Sequence, residues 1–95
     1  MNANEWRQFW RERGMRELHA LLGSAWPPLG SAAPEVTDAC AFRIASLLGS
    51  RARREAVADE LARIRRDELG LEPKPPEDDR AATKVTAWFA EVARR

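Results

Sequence analysis

Apolar positions recur along this chain at the spacing of a helix, and no strand-like alternation lasts long enough to define a strand. From Pro34 to Leu48, at about 100° per residue, Val36, Cys40, Ile44, Leu47 and Leu48 fall on one face and Glu35, Asp38, Phe42 and Ser46 on the other. Phe42 is therefore expected on the solvent side. Pro34 suits a first helical turn, and Gly49 a left-handed stop. Ser50 stands where it would cap the next helix, which runs to Leu69 and closes at Gly70 and Leu71 in a Schellman arrangement. Its stripe of Val57, Leu61 and Ile64 is narrow, which predicts a peripheral helix. Pro73, Pro75 and Pro76 then read as a stiff linker. Asp78 or Asp79 would cap a last helix whose inner face is Ala81, Val85, Trp88, Phe89 and Val92.

The first segment behaves differently. Trp6, Phe9 and Trp10 share one face, whereas Met15, Leu18, Leu21 and Leu22 share another, rotated by about 120° on the helical repeat. Gly14 lies at the change. A glycine costs about 1 kcal/mol against alanine inside a helix, so its place predicts a kink or break between a piece from Asn4 to Arg13 and a piece from Met15 to Leu22. Trp26, Pro28 and Gly30 belong to a rigid aromatic turn, Trp-Pro-Pro-Leu-Gly, suited to docking one helix on the next. The expected fold is all-α: a compact bundle of four helices with an additional N-terminal helical segment kinked at Gly14. It reads as one domain over residues 1–95, with residues 1–13 as a candidate N-terminal extension.

A length of 95 residues is enough to bury roughly 65% of the unfolded surface, so one domain needs no staples. The single cysteine excludes a disulfide framework, and the lack of an apolar run near the length of a bilayer excludes a membrane span. Glu5, Arg7, Arg11, Glu12 and Arg13 stand where a signal peptide would need an uninterrupted apolar stretch. A cytoplasmic setting is expected. The net charge of +1 is too balanced to mark a nucleic-acid binder through bulk electrostatics.

The succession of Trp26, Pro27, Pro28, Leu29 and Gly30, then Pro34, Asp38, the Leu47–Leu48 pair, Leu61, Ile64, and finally Leu69, Gly70, Leu71 and Arg80 resembles the small bacterial YugE-like family of unknown function. That family carries a Trp-Asp-Pro-Ile-Gly turn, an acidic start to the following helix and a Met-Gly-Leu helix end. The resemblance spans residues 15–92 and implies a compact helical fold, without an activity. Two departures stand out. Pro27 takes the place of the turn's acidic residue, and Ala39, Cys40 and Ala41 follow Asp38 where the family has acidic and aromatic residues.

Catalytic chemistry finds little to work with. His19, the only histidine, reads as a solvated helix residue near Glu12 and Arg16, and one histidine makes no metal site. Cys40, between Val36 and Ile44, reads as a small buried hydrophobe rather than a nucleophile. Glu77, Asp78 and Asp79 sit where a helix start already favours negative charge. The glycines do not form a phosphate-binding loop. No catalytic residue, metal or cofactor is expected, and the chain reads as a non-enzyme.

Two surfaces are candidates for partner binding. Trp6, Phe9 and Trp10 interleave with Arg7, Arg11 and Arg13, the mixture found at interface hot spots. Their alternative fate is internal packing over Phe42 and Trp88. The second is a strip of Arg51, Arg54 and Arg65 floored by Ala58 and Ala62 and uninterrupted by acid, with Arg51, Arg53 and Arg54 crowding a first turn where the helix dipole disfavours cations. Glu55 and Asp59 are spaced to pair with Arg51 and Arg63, leaving Arg54 and Arg65 less neutralised. Three functions follow. The first is a protein-binding module, concretely a bacterial immunity or antitoxin-type protein that occludes another protein, an acidic surface being what the arginines would suit. The second is a nucleic-acid-binding helical domain using the strip with Arg66. The third is an oligomerisation subunit whose Trp6, Phe9 and Trp10 face mates with its own copy. Glu5 and Glu12 dilute the charge that membrane-surface binding would need.

Overall fold

The computed structural model describes residues 2–94; Met1 and Arg95 lie outside the described residues. The fold is all-α, with no strand among the described residues. Helix α1 (Ala3–Phe9) runs through a π-helical turn (Trp10–Gly14) into α2 (Met15–Ala25), and the three form one continuous rod. A 3-10 turn (Pro27–Ser31) leads into α3 (Pro34–Gly49), followed by α4 (Arg54–Asp67) and α5 (Pro75–Ala93). The Cα radius of gyration is 12.8 Å, close to the ~12 Å of a compact chain of this length.

The kink or break expected at Gly14 takes the form of a π-helical turn in a continuous rod. Gly14 keeps ordinary right-handed helical angles, φ −59° and ψ −48°, and Met15 donates its amide proton to the carbonyl of Trp10, five residues back. The extra residue in that turn sets the following helix back by roughly 100°. That offset accounts for the rotated stripe: the aromatics of α1 and the leucines of α2 come to face the same interior. Gly14 is needed for space. A Cβ there would stand 2.6 Å from Trp10 Cε3 and 2.7 Å from Phe9 Cε1. Residues 2–13 are thus no loose extension, since their rings pack on α5.

Leu18 and Leu22 of α2, Ile44 and Leu48 of α3, Val57, Leu61 and Ile64 of α4, and Ala81 and Val85 of α5 make the core, with Trp26 wholly enclosed. The narrow stripe of α4 is sunk fully, along with Ala58, so α4 is a core helix packed along α5 and the expectation of a peripheral one is corrected. Phe42 is 66% exposed, as its phase on α3 required.

Several helix ends also differ from expectation. Gly49 remains helical, and the left-handed position is filled by Arg51 at φ 59°. The bonds from Ala52 N to Leu47 O and from Arg51 N to Leu48 O, both 3.0 Å, complete a Schellman motif around it. Ser50 does not cap α4; its hydroxyl donates back to Ser46 O at 3.0 Å, and α4 begins from Arg53 without a side-chain cap. Gly70 does take the left-handed conformation, φ 62°. Its closing bond runs from Leu71 N to Arg65 O at 2.9 Å, one residue wider than a Schellman pair. Pro75 and Pro76 open α5 instead of forming a linker, with Lys74 as the N-cap residue.

Candidate functional site

Trp26 organises the interior. A buried indole must find an acceptor for its N–H, and Trp26 Nε1 donates to Asp78 Oδ1 at 2.7 Å. The same oxygen accepts Arg65 Nη2 at 2.8 Å and Arg65 Nε at 3.2 Å, while Nη2 also donates to Glu77 Oε1 at 2.8 Å. Arg65 Cζ lies 5.5 Å from the Trp26 ring centroid, within cation–π range. Arg65 and Asp78 are each 2% exposed. Burial works against the guanidinium charge, but the hydrogen bonds to Asp78 and Glu77 outweigh it and hold Arg65 above its ordinary range. The hydrogen bond from Arg65 in turn holds Glu77 below the usual carboxylate range. Asp78 Oδ2 is buried without a partner. Asp78 is therefore a buried acceptor joining three elements, not the helix cap expected of it. The turn assigned to Trp26, Pro28 and Gly30 is present, although Gly30 has open space around it and no left-handed backbone, so nothing there requires a glycine.

This node dismantles the arginine strip. Arg65 points inward. Arg54 meets Glu55 at 3.2 Å and Asp79, from α5, at 3.7 Å, so the strip is interrupted by acid. Arg51 belongs to the turn after α3, where a cation is favoured by the helix C-terminus, and Arg53 precedes α4. The crowding of like charge in a first turn is corrected accordingly. Of the three arginines only Arg51 faces solvent without its expected partner, because Glu55 is engaged by Arg54.

The N-terminal aromatics pack inward, but not over Phe42. Trp6 meets Phe89 edge-on at 5.4 Å, Trp10 stacks on Phe89 at 6.2 Å and meets Trp88 edge-on at 5.9 Å, and Phe9 reaches Trp88 at 6.4 Å. Trp6, Phe9 and Trp10 are each half-buried. Trp88 Nε1 donates to Glu17 Oε1 at 3.3 Å, tying α5 back to the rod.

One groove collects what remains. A space of about 710 Å³ lies between the start of the rod (Asn2, Ala3, Trp6), the end of α3 and its turn (Leu48, Gly49, Arg51, Ala52) and the C-terminal half of α5 (Thr86, Phe89, Ala90, Ala93). Its aromatic walls are Trp6 and Phe89, and Arg51 supplies its cation. The groove thus joins Trp6 with Arg51, while Phe9, Trp10, Arg54 and Arg65 stay outside it. Sequence reasoning missed Thr86 and the α3 turn as parts of a site.

His19 is not simply solvated: its Nε2 lies 3.0 Å from Asp38 Oδ1 and ties α2 to α3. Cys40 is fully buried, as expected; burial first, then Glu68 and Glu60, push its thiol up to about 12. Among the described residues no group of three or more His, Cys, Asp or Glu side chains is arranged to hold a metal ion, and no helix is long and apolar enough to cross a membrane. Comparison with family models, curated proteins and solved structures gives no match.

Proposed function

We propose that this chain is a non-enzymatic protein-binding module, most concretely of the immunity or antitoxin type that occludes a partner, and that it works through the groove between Trp6, Arg51 and Phe89. The supporting observation is a single juxtaposition. Trp6 and Arg51, far apart in sequence and contributed by different elements, line one groove whose volume of about 710 Å³ suits a few side chains of a partner. Tryptophan and arginine are the residue types that dominate binding hot spots. Arg51 is also held at φ 59°, a backbone conformation unfavourable for any residue with a Cβ. Strain at a solvent-facing cation that has no ion-pair partner among the described residues, beside an apolar wall, suits a segment that carries an apolar side chain next to a carboxylate. A cytoplasmic setting belongs to the same reading. The nucleic-acid alternative has less to draw on, since Arg65 is buried and Arg54 is paired.

The test is a random peptide library selected on the wild-type protein with counter-selection on the Arg51→Glu variant. Retained peptides should combine an apolar residue with Asp or Glu and lose about tenfold or more in affinity on Arg51→Glu, as for a hot-spot residue. Peptides that bind both proteins equally, or no retained peptide at all, would refute the groove.

A further inference from the structure

The π-helical turn from Trp10 to Gly14 holds one residue more than an α turn, and Met15 donates its amide proton to Trp10 rather than to Arg11. Such single-turn insertions are rare and occur frequently at functional sites. Moving the extra residue out through the N-terminal end of the helix would rotate everything before it by about 100° and advance it by about 1.5 Å. Each place now held by one residue would then pass to the next along the chain. Arg7 would take the place of Trp6, Trp10 that of Phe9, and Arg11 that of Trp10.

The chain suits both registers. In the one observed, Trp6 meets Phe89 edge-on at 5.4 Å and Trp10 meets Trp88 edge-on at 5.9 Å. In the other, Arg7 and Arg11, both now exposed, come onto the same two rings, and cation–π contact replaces ring on ring. Glu17, which accepts from Trp88 Nε1 at 3.3 Å and pairs with Arg13 at 3.3 Å, is the acid beside Arg11 there. Helix α1 is free to turn because none of its residues is buried. Two features make the aromatic register the ground state. Gly14, without a Cβ, leaves room for the Trp10 and Phe9 rings. Arg7 in the place of Trp6 would also bring a second cation into a groove that already holds Arg51. We propose that α1 is a two-register arm, which shifts by one residue at the π turn and places either Trp6 or Arg7 in the groove. The register thereby sets whether the groove presents an aromatic wall. Its regulatory consequence rests on the groove reading: a bound segment with an apolar side chain next to a carboxylate holds the arm in the Trp6 register.

NMR of the isotope-labelled full chain tests the arm without any ligand. The wild type should show nuclear Overhauser contacts between the Trp6 and Phe89 rings. It should also show relaxation dispersion across residues 6–15, on the microsecond-to-millisecond scale of helix register shifts, from a second state of about 1%. Gly14→Ala, whose Cβ would stand 2.6 Å from Trp10 Cε3, should make that second state the main one. The arm then stays helical, Trp6 loses its contact with Phe89 and the Arg7 side chain gains it. Deletion of Glu12 makes the Met15–Trp10 bond an ordinary α bond, so it should keep Trp6 on Phe89 and abolish the dispersion. The double variant R7E/R11E, altered only at exposed positions of the observed register, should also keep that contact and flatten the dispersion. A flat wild type, a Gly14→Ala protein that keeps Trp6 on Phe89 or loses helix over residues 3–13, or dispersion that survives deletion of Glu12 would overturn the arm. Failure of these spectra leaves the Arg51→Glu peptide selection standing, and failure of that selection leaves the two registers standing.

Discussion

Removing the Asp78 carboxylate should be among the costliest single truncations outside the apolar core. Asp78→Ala deletes the acceptor of Trp26 Nε1 at 2.7 Å and of Arg65 Nη2 at 2.8 Å, and leaves a guanidinium 2% exposed with only Glu77 to answer it. Breaking a buried ion pair by removing one partner costs about 3–5 kcal/mol. Against a total stability of about 5–14 kcal/mol for a chain of this size, that is at least about a fifth of the whole. Arg65→Met should cost a similar amount for the mirror reason, since Asp78 would remain buried with Trp26 alone. The double variant R65M/D78A removes both charges and retains mainly the orphaned indole N–H, worth about 1–3 kcal/mol. It should therefore cost less than the two singles combined, with a coupling of at least about 3 kcal/mol. Urea unfolding followed by circular dichroism and tryptophan fluorescence reads all four proteins. With a slope near 1 kcal/mol per molar, each single variant should shift the midpoint by about 3 M or more. Costs that simply add, or single variants within about 1 kcal/mol of wild type, would refute the buried node.

Three further outcomes follow. Gly14→Ala should destabilise by about 1–3 kcal/mol, despite alanine's better helix propensity, because its Cβ meets Trp10 and Phe9 ring atoms at 2.6 and 2.7 Å; thermal unfolding checks it, and a raised midpoint would contradict the packing. Arg51→Gly should raise stability by up to about 1 kcal/mol through relief of the left-handed backbone, while weakening peptides retained by the groove; a stability gain with unchanged peptide affinity would separate Arg51 from recognition. Glu77 is held below its ordinary range by the Arg65 hydrogen bond, so its contribution is present above its unfolded value and is lost as pH falls through the lower folded value. Glu77→Gln should therefore lower stability at neutral pH and flatten the acid limb below about pH 4.5, measured as urea midpoint against pH.

The helices were legible in sequence because their faces are set by periodicity: Cys40, Ile44 and Leu48 are buried and Phe42 is exposed as their phases require. The rotated stripe around Gly14 was legible too, but its cause was not. A break and a π-helical turn both shift a face, and only the backbone bond from Met15 N to Trp10 O distinguishes them. Arg65 was misread as a surface cation although it continues the buried line of Ala58 and Leu61 at helical spacing. The neglected signal was Trp26: a buried indole N–H needs an acceptor, and Asp78 at the start of α5 could supply one. The groove could not be read because it forms where the start of the rod, the end of α3 and the C-terminal half of α5 meet, and periodicity says nothing about which helix ends converge. Nor does composition reveal a left-handed arginine; with Gly49 so near, glycine was the natural choice for that position.

The most direct measurement is a ¹H–¹⁵N NMR titration of the labelled protein with a peptide retained in the selection described above. Perturbations should concentrate at the Trp6 indole and at Arg51, Thr86 and Phe89, the groove's own lining, leaving the α4 amides from Arg54 to Arg65 in place. Perturbations centred on α4, with Trp6 and Arg51 unmoved, would contradict recognition through the groove.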